Sequence, residues 1–218
     1  MRPLVIAIDG PTASGKGTLA RRVGEAFGLK VLDTGLLYRA VGLSMLDRGL
    51  DPKNAAAAEA AAQSLDLSLD LGRLDDPRLR SGPAGAAASV VAAHKGVRQA
   101  LYEAQRAFAA DPAGAVLDGR DIGTIICPDA PIKLFVTASL EARAVRRHAE
   151  LLARGESISL EAVTYQIAER DARDQSRSVA PLRAAEDAVL LDTTGLTIED
   201  AVAAARRLIE AALQSLGR

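Results

Sequence analysis

The chain has 218 residues, of which 49% are hydrophobic and 25% are charged, a composition typical of a globular domain with a sizeable core. A formal net charge of −1 gives no overall attraction to nucleic acid polymers or membrane surfaces, and the single cysteine excludes an intrachain disulfide framework. The sequence contains neither a signal-peptide pattern nor a run of about 18 apolar residues, so it predicts a cytoplasmic protein.

The predicted elements begin with a buried strand and a helix that are joined by a glycine-rich turn. Residues 4–8 form a continuous apolar run, which is typical of a central strand covered on both faces. After the turn, Leu19, Val23 and Phe27 recur at helical spacing, and Gly28 favours the end of that helix. This order of strand, glycine-rich turn and helix is the context in which a phosphate-binding P-loop occurs.

The turn itself has the composition of a P-loop. Its backbone N–H groups and the positive end of the helix dipole would hold an anion, and Lys16 would reach the β- and γ-phosphates of ATP. Gly17 stands where Ser or Thr usually follows the lysine, and the hydroxyl comes one residue later. The alternative is a glycine-rich turn without a ligand. The predicted nucleotide-binding residues are Gly10, Pro11, Thr12, Ala13, Ser14, Gly15, Lys16, Gly17 and Thr18.

The rest of the chain continues the alternation of strands and helices. Further strands are predicted at 30–32, 115–117, 132–136 and 189–191, and helices at 34–48, 95–110, 139–153 and 160–173. This order predicts an α/β protein of the P-loop NTPase fold, with a parallel five-stranded sheet flanked by helices. A final helix, capped by Thr197, is expected to bury Val202, Ala205, Ile209 and Leu216 on one face.

Residues 51–96 differ in character from the rest and are interpreted as an insertion within a single domain that spans 1–218. An alanine-rich helix is predicted at 54–63, and alternating leucines at 65–71 predict a half-exposed hairpin. The glycines and the proline of residues 82–85 are expected to break regular structure.

Four sequence blocks, in the right order, resemble the bacterial cytidylate kinase family of nucleoside monophosphate kinases. They are Gly-Lys-Gly-Thr at 15–18, Leu-Asp-Thr-Gly at 32–35 with Tyr38 and Arg39, Asp-Gly-Arg-Asp-Ile-Gly-Thr at 118–124, and Arg-Asp-Ala-Arg-Asp-Gln-Ser-Arg at 170–177 with Val-Ala-Pro at 179–181. The resemblance covers nearly the whole chain, and it implies that the insertion at about 51–96 binds the nucleotide that accepts the phosphoryl group.

The resemblance also implies roles for individual residues. Arg39 and Arg120 would hold the phosphate of the acceptor, for which forked guanidinium donors are well suited. Ser89, Arg98 and Asp121 would read cytosine, because a carboxylate accepts from the exocyclic amine of cytosine but meets a carbonyl oxygen in uracil. The alternative for Asp121 is a helix-capping or salt-bridged aspartate. The substrate-binding residues are therefore Thr34, Arg39, Ser89, Arg98, Arg120, Asp121, Arg170, Asp174 and Arg177, and no metal-ligating residue is assigned.

Two groups of arginines in the second half of the chain complete the predicted site. Arg170, Arg173 and Arg177 share one helical face, which by itself is equally consistent with a phosphate clamp and with a solvated face. The family resemblance favours the clamp. The resemblance implies that Arg170 and Asp174 hold the sugar hydroxyls and that Arg177 faces the transferring phosphoryl group. A second group is interpreted as part of a lid at about 153–160 over ATP, with a basic helix end as the alternative. It comprises Arg143, Arg146, Arg147 and Arg154.

The resemblance implies transfer of the γ-phosphoryl group of ATP to CMP or dCMP in pyrimidine nucleotide metabolism, with Lys16, Arg120 and Arg177 as the catalytic residues. The attacking phosphate oxygen is already anionic near neutral pH, so no general base is needed. Mg²⁺ would be held mainly by phosphates and water, with Asp118 either orienting it or bracing the loop. The expected partners are ATP, CMP and dCMP, without nucleic acid polymer or membrane, and the chain is expected to be monomeric. The alternatives are a kinase for UMP, AMP or shikimate and a nucleotide-dependent switch without phosphoryl transfer.

Overall fold

A parallel five-stranded sheet forms the centre of the protein, whose computed structural model describes residues 3–65 and 74–217. The strands are β1 (Val5–Asp9), β2 (Lys30–Asp33), β3 (Ala115–Gly119), β4 (Ile132–Thr137) and β5 (Val189–Asp192). Their order across the sheet is β2-β3-β1-β4-β5, with every neighbouring pair parallel. The P-loop therefore leaves the middle strand at the carboxyl edge of the sheet, where ligands bind in open α/β folds. The predicted fold class is confirmed.

Eight α-helices surround the sheet within the described ranges. They are α1 (Lys16–Phe27), α2 (Thr34–Asp47), α3 (Ala55–Gln63), α4 (Gly82–Val91), α5 (Lys95–Ala109), α6 (Leu140–Ala153), α7 (Leu160–Ser176) and α8 (Ile198–Ser215). Gly28 ends α1 in the left-handed conformation, as the sequence predicts. Thr197 caps α8 by accepting from the backbone N–H of Asp200 at 3.1 Å. Leu216 follows the end of α8 and is 50% exposed, so its predicted burial is wrong.

The two faces of the sheet carry separate parts of the hydrophobic core. Because side chains alternate along a strand, Val5 and Ala7 of β1 face one cluster and Ile6 and Ile8 face the other. The first cluster includes side chains of α2 to α5, and the second includes side chains of α1 and α8. Full burial of an isoleucine contributes about 1.5 to 3 kcal/mol, so β1 is anchored from both sides and the P-loop starts from a fixed point.

The predicted break at residues 82–85 is wrong, because α4 begins there. Ser81 caps this helix by accepting from the backbone N–H of Ala84 at 3.3 Å, and the proline lies in the first turn, where its missing N–H costs little. The small residues of α4 allow close packing on α2: a Cβ on Gly42 would lie 2.8 Å from the Cβ of Ala87. Most of the predicted hairpin at 65–71 lies outside the described residues.

The helices α6 and α7 form a hairpin with a small core of their own. Ala144, Leu151, Val163 and Ile167 pack together there. Within the described ranges, no helix is long and apolar enough to cross a membrane.

Candidate active site

Two cavities meet at the P-loop. One has a volume of ≈ 310 Å³ and is lined by the loop from Ala13 to Thr18, and the other has a volume of ≈ 200 Å³ and lies between α2, α4 and α7. We call them the donor cavity and the acceptor cavity. Lys16 lines both, together with Gly17 and the carboxylates of two neighbouring strand ends. A group bound in either cavity would therefore contact the same lysine.

The backbone of the P-loop requires glycine where it leaves the sheet. Gly10 has φ 148°, and a Cβ at this position would lie 1.9 Å from the carbonyl oxygen of Val136. Gly15 precedes α1 with φ 87°, a conformation that glycine adopts without strain. Residues 10–15 thus turn tightly into the N-terminus of α1, whose free N–H groups and dipole favour an anion.

Lys16 and Asp118 are buried next to each other at the junction of the cavities. Lys16 Nζ donates to the carbonyl oxygen of Pro11 at 2.7 Å and to Ser14 Oγ at 3.4 Å. Burial and the nearby Arg120 lower the pKa of Lys16, and burial raises the pKa of Asp118. Because each shift reflects a charge taken out of water, a phosphate at this junction would interact strongly with the ammonium group.

The ends of β2 and β3 place two carboxylates side by side. Asp33 and Asp118 are partners in the register of these strands, and both line the donor and acceptor cavities. Asp118 Oδ2 lies 3.5 Å from where a Cβ on Gly17 would be, so it faces the start of α1. Oxygen ligands of this type next to a phosphate site fit Mg²⁺, which is commonly held by one or two carboxylates plus phosphates and water.

The acceptor cavity gathers all the residues that the sequence predicts to bind substrate. Its lining comes from α2, α4, α5, the segment after β3 and α7. The nine predicted residues in this lining are Thr34, Arg39, Ser89, Arg98, Arg120, Asp121, Arg170, Asp174 and Arg177. They come from five separate parts of the sequence, so their convergence depends on the fold.

Asp174 organises the cationic side of the acceptor cavity. Its carboxylate, 1% exposed, accepts from Arg120 Nε at 3.0 Å and from Arg177 Nη2. Arg170 Nε and Arg177 Nε are buried and have no hydrogen-bond partner among the described residues. Burial and the charge of Arg120 lower the pKa of Arg170. Buried guanidinium Nε donors without a partner are suited to a phosphate, whose oxygens would accept from them.

Asp121 and Arg98 also line this cavity. Arg98 Nη2 donates to Asp121 Oδ2 in a buried ion pair, and the Arg98 guanidinium lies 5.5 Å from the ring centroid of Tyr38. An ionised carboxylate has about four acceptor positions, so Asp121 Oδ1 remains able to accept from a ligand. Ser89 is buried beside them, and its Oγ accepts from Arg173 Nε at 3.3 Å.

The arginines of α6 and α7 are arranged differently from the sequence prediction. Arg173 pairs with Glu169 at 2.8 Å and donates to Ser89 Oγ, whereas Arg170 and Arg177 line the acceptor cavity, so the three arginines do not share one set of contacts. Arg146 donates to the backbone of Thr193 and is already engaged in the structure. Of the predicted lid arginines, Arg147 and Arg154 line the donor cavity.

Arg143 fixes the P-loop and does not belong to a free lid. Arg143 Nη1 donates to the carbonyl oxygen of Thr12 at 3.2 Å and to the carboxylate of Asp171, which in turn accepts from the Thr12 N–H at 3.4 Å. Arg120 Nη2 donates to Thr12 Oγ1 at 3.0 Å. Thr12 is therefore held by α6, α7 and the segment after β3.

Sequence reasoning missed several residues of the site. Asp171 and Asp9 are buried, and Asp33 and Arg80 line the donor cavity. A usable signal existed for Asp9 and Asp33, because each is an acidic residue at the carboxyl end of a predicted buried strand. Asp171 offered no such signal, since its partners lie more than a hundred residues away or on another helix.

A third cavity, of ≈ 310 Å³, lies on the other side of Gly15 and is mainly apolar. Its walls come from the start of α1, the end of β4 and the segment that leads into α8. Apolar side chains in the wall include Leu19, Val136, Leu196, Ile198 and Val202. The flat aromatic base of a nucleotide would fit in this cavity, with the phosphates of the nucleotide directed to the P-loop.

Comparison with known proteins finds relatives over nearly the whole length of the chain. The family described as cytidylate kinase matches residues 6–211. The cytidylate kinase of Xanthobacter autotrophicus is 58% identical over 208 residues, which cover 95% of this chain and 98% of the relative. That of Methylocella silvestris is 56% identical over 213 residues, which cover 98% of this chain and 97% of the relative.

A solved structure of an uncharacterized protein from Eubacterium ventriosum superposes with a TM-score of 0.56 at 16% identity, over 96% of this chain and 99% of that one. This similarity supports the fold alone. The family match and the high identity to its curated members extend across the P-loop, the acceptor cavity and both arginine-bearing helices. The chain therefore belongs to the cytidylate kinase family.

Proposed function

We propose that this protein transfers the γ-phosphoryl group of ATP to the 5′-phosphate of CMP or dCMP, giving ADP and CDP or dCDP. The observation that carries the proposal is the position of Lys16 at the junction of the donor and acceptor cavities. One ammonium group can there contact the phosphates of both nucleotides. Membership of the cytidylate kinase family supports cytidine monophosphates as the acceptors.

On the donor side, the triphosphate of ATP is assigned to the P-loop and the adenine to the apolar cavity beside Gly15. Asp33, Asp118 and the hydroxyl of Thr18 are the residues that would hold Mg²⁺, directly or through water. The bound ion would neutralise part of the charge of the phosphates. Arg147 and Arg154 face the same cavity from α6 and would contact the terminal phosphates.

On the acceptor side, Arg39, Arg120 and Arg177 are assigned to the phosphate. Arg39 Nη1 already donates to the carbonyl oxygens of Leu79 and Ser81, so the remaining donors of its fork would face the ligand. Thr34, Arg170 and Asp174 complete the assigned contacts to phosphate and sugar. The cytosine is assigned to Ser89, Arg98 and Asp121, which all line the cavity and of which Arg98 and Asp121 form an ion pair.

The chemistry that these residues supply is positioning and charge compensation. The attacking phosphate oxygen carries its own negative charge, so no residue has to remove a proton. Two polyanions must instead be held in line against their repulsion. Lys16 lines both cavities, and Arg120 and Arg177 line the acceptor cavity beside it. Asp174 keeps Arg120 and Arg177 oriented before the substrate binds.

The segment at about 51–96 is proposed to close over the acceptor, and the segment at about 153–160 to close over ATP. Arg154 Nη1 donates to the carbonyl oxygen of Arg80 at 3.0 Å, a contact that joins the two segments above the donor cavity. Closure of this kind excludes water and limits ATP hydrolysis. A monomeric chain in the cytoplasm is part of the same proposal.

The test is ADP production from Mg·ATP with CMP, dCMP, UMP, AMP, GMP and shikimate offered separately. We expect rapid turnover with CMP and dCMP and slow turnover with the other four. A Lys16→Met variant serves as the control and should lose turnover with every acceptor. Rapid turnover with a different acceptor would refute the assignment of Ser89, Arg98 and Asp121, and turnover with none would refute the proposed reaction.

A further inference from the structure

Asp9 is a buried carboxylate that none of the assigned roles uses. It is the last residue of β1, directly before the first glycine of the P-loop, and it is 4% exposed. Its Oδ1 accepts from the backbone N–H of Ile122 at 2.8 Å, and its Oδ2 accepts from the backbone N–H of Gly123 at 2.7 Å. Both carboxylate oxygens therefore bind the segment that follows β3.

The two N–H groups open a short π-helical turn, Ile122–Ile126. The carbonyl oxygen of Asp121 accepts from the N–H of Ile126 at 3.1 Å, five residues later. The first N–H groups of any helix have no partner within it, and here a carboxylate from a neighbouring strand supplies one. Such π-turns are frequent at functional sites. This one begins immediately after Arg120 and Asp121, which line the acceptor cavity.

The backbone is closely packed on both sides of the Asp9 contact, at the turn and at the P-loop. A Cβ on Gly123 would lie 3.2 Å from Lys133 Cδ and 3.4 Å from Asp9 Oδ2, so the turn passes close to both side chains. On the other side, Gly10 is pressed against the carbonyl oxygen of Val136. The start of the P-loop and the start of the turn are thus held at a fixed separation by one residue.

We propose that Asp9 is a positioning residue for base recognition, which holds the turn so that Asp121 projects into the acceptor cavity in register with the P-loop. This inference rests on the proposed base-reading role of Asp121. A buried carboxylate costs free energy unless its oxygens are hydrogen-bonded, and here both oxygens accept from backbone N–H groups of the turn. The two oxygens of one carboxylate accept from two consecutive N–H groups, and this pair of charged hydrogen bonds fixes both the position and the orientation of the turn.

The principal variant is Asp9→Asn, which keeps the shape of the side chain but offers one acceptor oxygen in place of two. We expect kcat/KM for CMP to fall roughly 10- to 100-fold, the effect of losing one charged hydrogen bond, and the preference for CMP over UMP to shrink. The KM for ATP should stay within about twofold, since the P-loop keeps its other contacts. Ile6→Val, in the same strand, is the control for a general loss of stability and should keep the preference.

Gly123→Ala provides an independent test, because it pushes the turn away from Asp9 and leaves the carboxylate in place. It should reproduce the reduced preference, and it keeps the inference testable if Asp9→Asn does not fold. A lower melting temperature with an unchanged CMP preference in both variants would assign Asp9 a purely structural role. An increase confined to the KM for ATP would place its effect on the P-loop and would also overturn the inference.

Asp121→Asn separates this inference from the proposed function. If Asp121→Asn leaves the preference for CMP unchanged, the base-reading role is refuted and the inference about Asp9 fails with it. If Asp121→Asn relaxes the preference while Asp9→Asn and Gly123→Ala do not, the inference about Asp9 alone is refuted. If Asp9 acts through Asp121, the double variant should be no less selective than Asp121→Asn alone.

Discussion

Single carboxylates determine where the cations of the acceptor cavity point. Asp174 orients Arg120 and Arg177, and Asp121 orients Arg98. Each of these arginines has five N–H donors. A hydrogen bond from one donor to a carboxylate fixes the orientation of the planar guanidinium group and leaves other N–H groups for a ligand. In the proposed complex, these arginines would already be oriented when the acceptor phosphate binds, which would reduce the cost of ordering long side chains.

Asp121→Asn should weaken discrimination against UMP. An amide can donate to the carbonyl oxygen of uracil, whereas a carboxylate can only accept, so the repulsion between two acceptors is removed. We expect the ratio of kcat/KM for CMP to that for UMP to fall by about tenfold or more. Asp111→Asn, which alters an exposed partner of Lys30 far from the cavity, is the matched control. An unchanged ratio in Asp121→Asn would contradict the assignment.

Arg177→Ala should lower kcat much more than it raises the KM for CMP. Its Nε is buried without a partner among the described residues, which suits it to charge that develops during phosphoryl transfer. A loss of about 10²- to 10³-fold in kcat is expected for a donor of this kind. Steady-state kinetics with CMP as the varied substrate measure both constants. Arg206→Ala removes an exposed arginine of α8 and controls for lost charge, while an effect on KM alone would indicate ground-state binding.

At the scale of elements, α4 depends on its approach to α2. The sequence of α4 contains two glycines and a proline near its start, and these residues predict a break when they are read without a neighbour. In the fold, small side chains are favoured because α2 comes within contact distance of the α4 backbone. Packing thus overrides the weak intrinsic propensity of this segment, and Ser89 is brought to the acceptor cavity.

Gly42→Ala should destabilise the protein and raise the KM for CMP. The added Cβ would lie 3.0 Å from the backbone nitrogen of Ala88, which cannot move without shifting α4. Overpacking costs about 1 to 3 kcal/mol, which exceeds the gain of about 1 kcal/mol in helix propensity. Melting temperature and the KM values for both substrates are the measurements.

Gly82→Ala is the matched control on α4 itself. A Cβ there would meet nothing within 4 Å, so the substitution should leave stability unchanged or slightly raised. Equal effects of Gly42→Ala and Gly82→Ala would mean that the contact between α2 and α4 does not limit the position of the helix.

The whole molecule is held together around the P-loop by contacts between distant parts of the chain. Arg143 of α6 and Asp171 of α7 bind the backbone of Thr12, and Arg120 binds its side chain. The helical hairpin that bears the proposed lid is therefore attached directly to the phosphate-binding loop. A movement of the proposed lid would therefore be transmitted to the P-loop through the contacts of Thr12.

The buried carboxylate of Asp9 should make the stability of the whole molecule depend on pH. Burial raises the pKa of Asp9 from 3.8 to about 6, although the hydrogen bonds from the N–H groups of Gly123 and Ile122 act in the opposite direction. The folded state therefore binds more protons than the unfolded state between these values. Its contribution to stability is present at low pH and is lost as the pH rises through about 6, on the order of 3 kcal/mol in total.

Asp9→Asn does not titrate and should lack this contribution. Relative to the variant, the wild type should gain melting temperature as the pH falls from about 7.5 to about 5. Calorimetry of both proteins across this range gives the difference at each pH, in which the other titrating groups largely cancel. A difference that stays constant over the range would mean that Asp9 has an ordinary pKa.

The sequence alone predicts the local features of this protein. The order of strands and helices, the end of α1 at Gly28 and the phosphate-binding turn follow from periodicity and from residues with special backbone preferences. The resemblance to a family added the set of residues that the acceptor cavity collects. These features can be predicted because each depends only on a few residues adjacent in the sequence or on a known family pattern.

Only the tertiary structure decided which partner each buried charge has. Asp9 binds a turn 113 residues away, and Arg143 turned from an expected lid residue into an anchor of Thr12 at a separation of 131 residues. The break expected at 82–85 became a helix because of a contact with α2. A charged side chain can pair with many others, and burial selects one partner only after the strands and helices have packed.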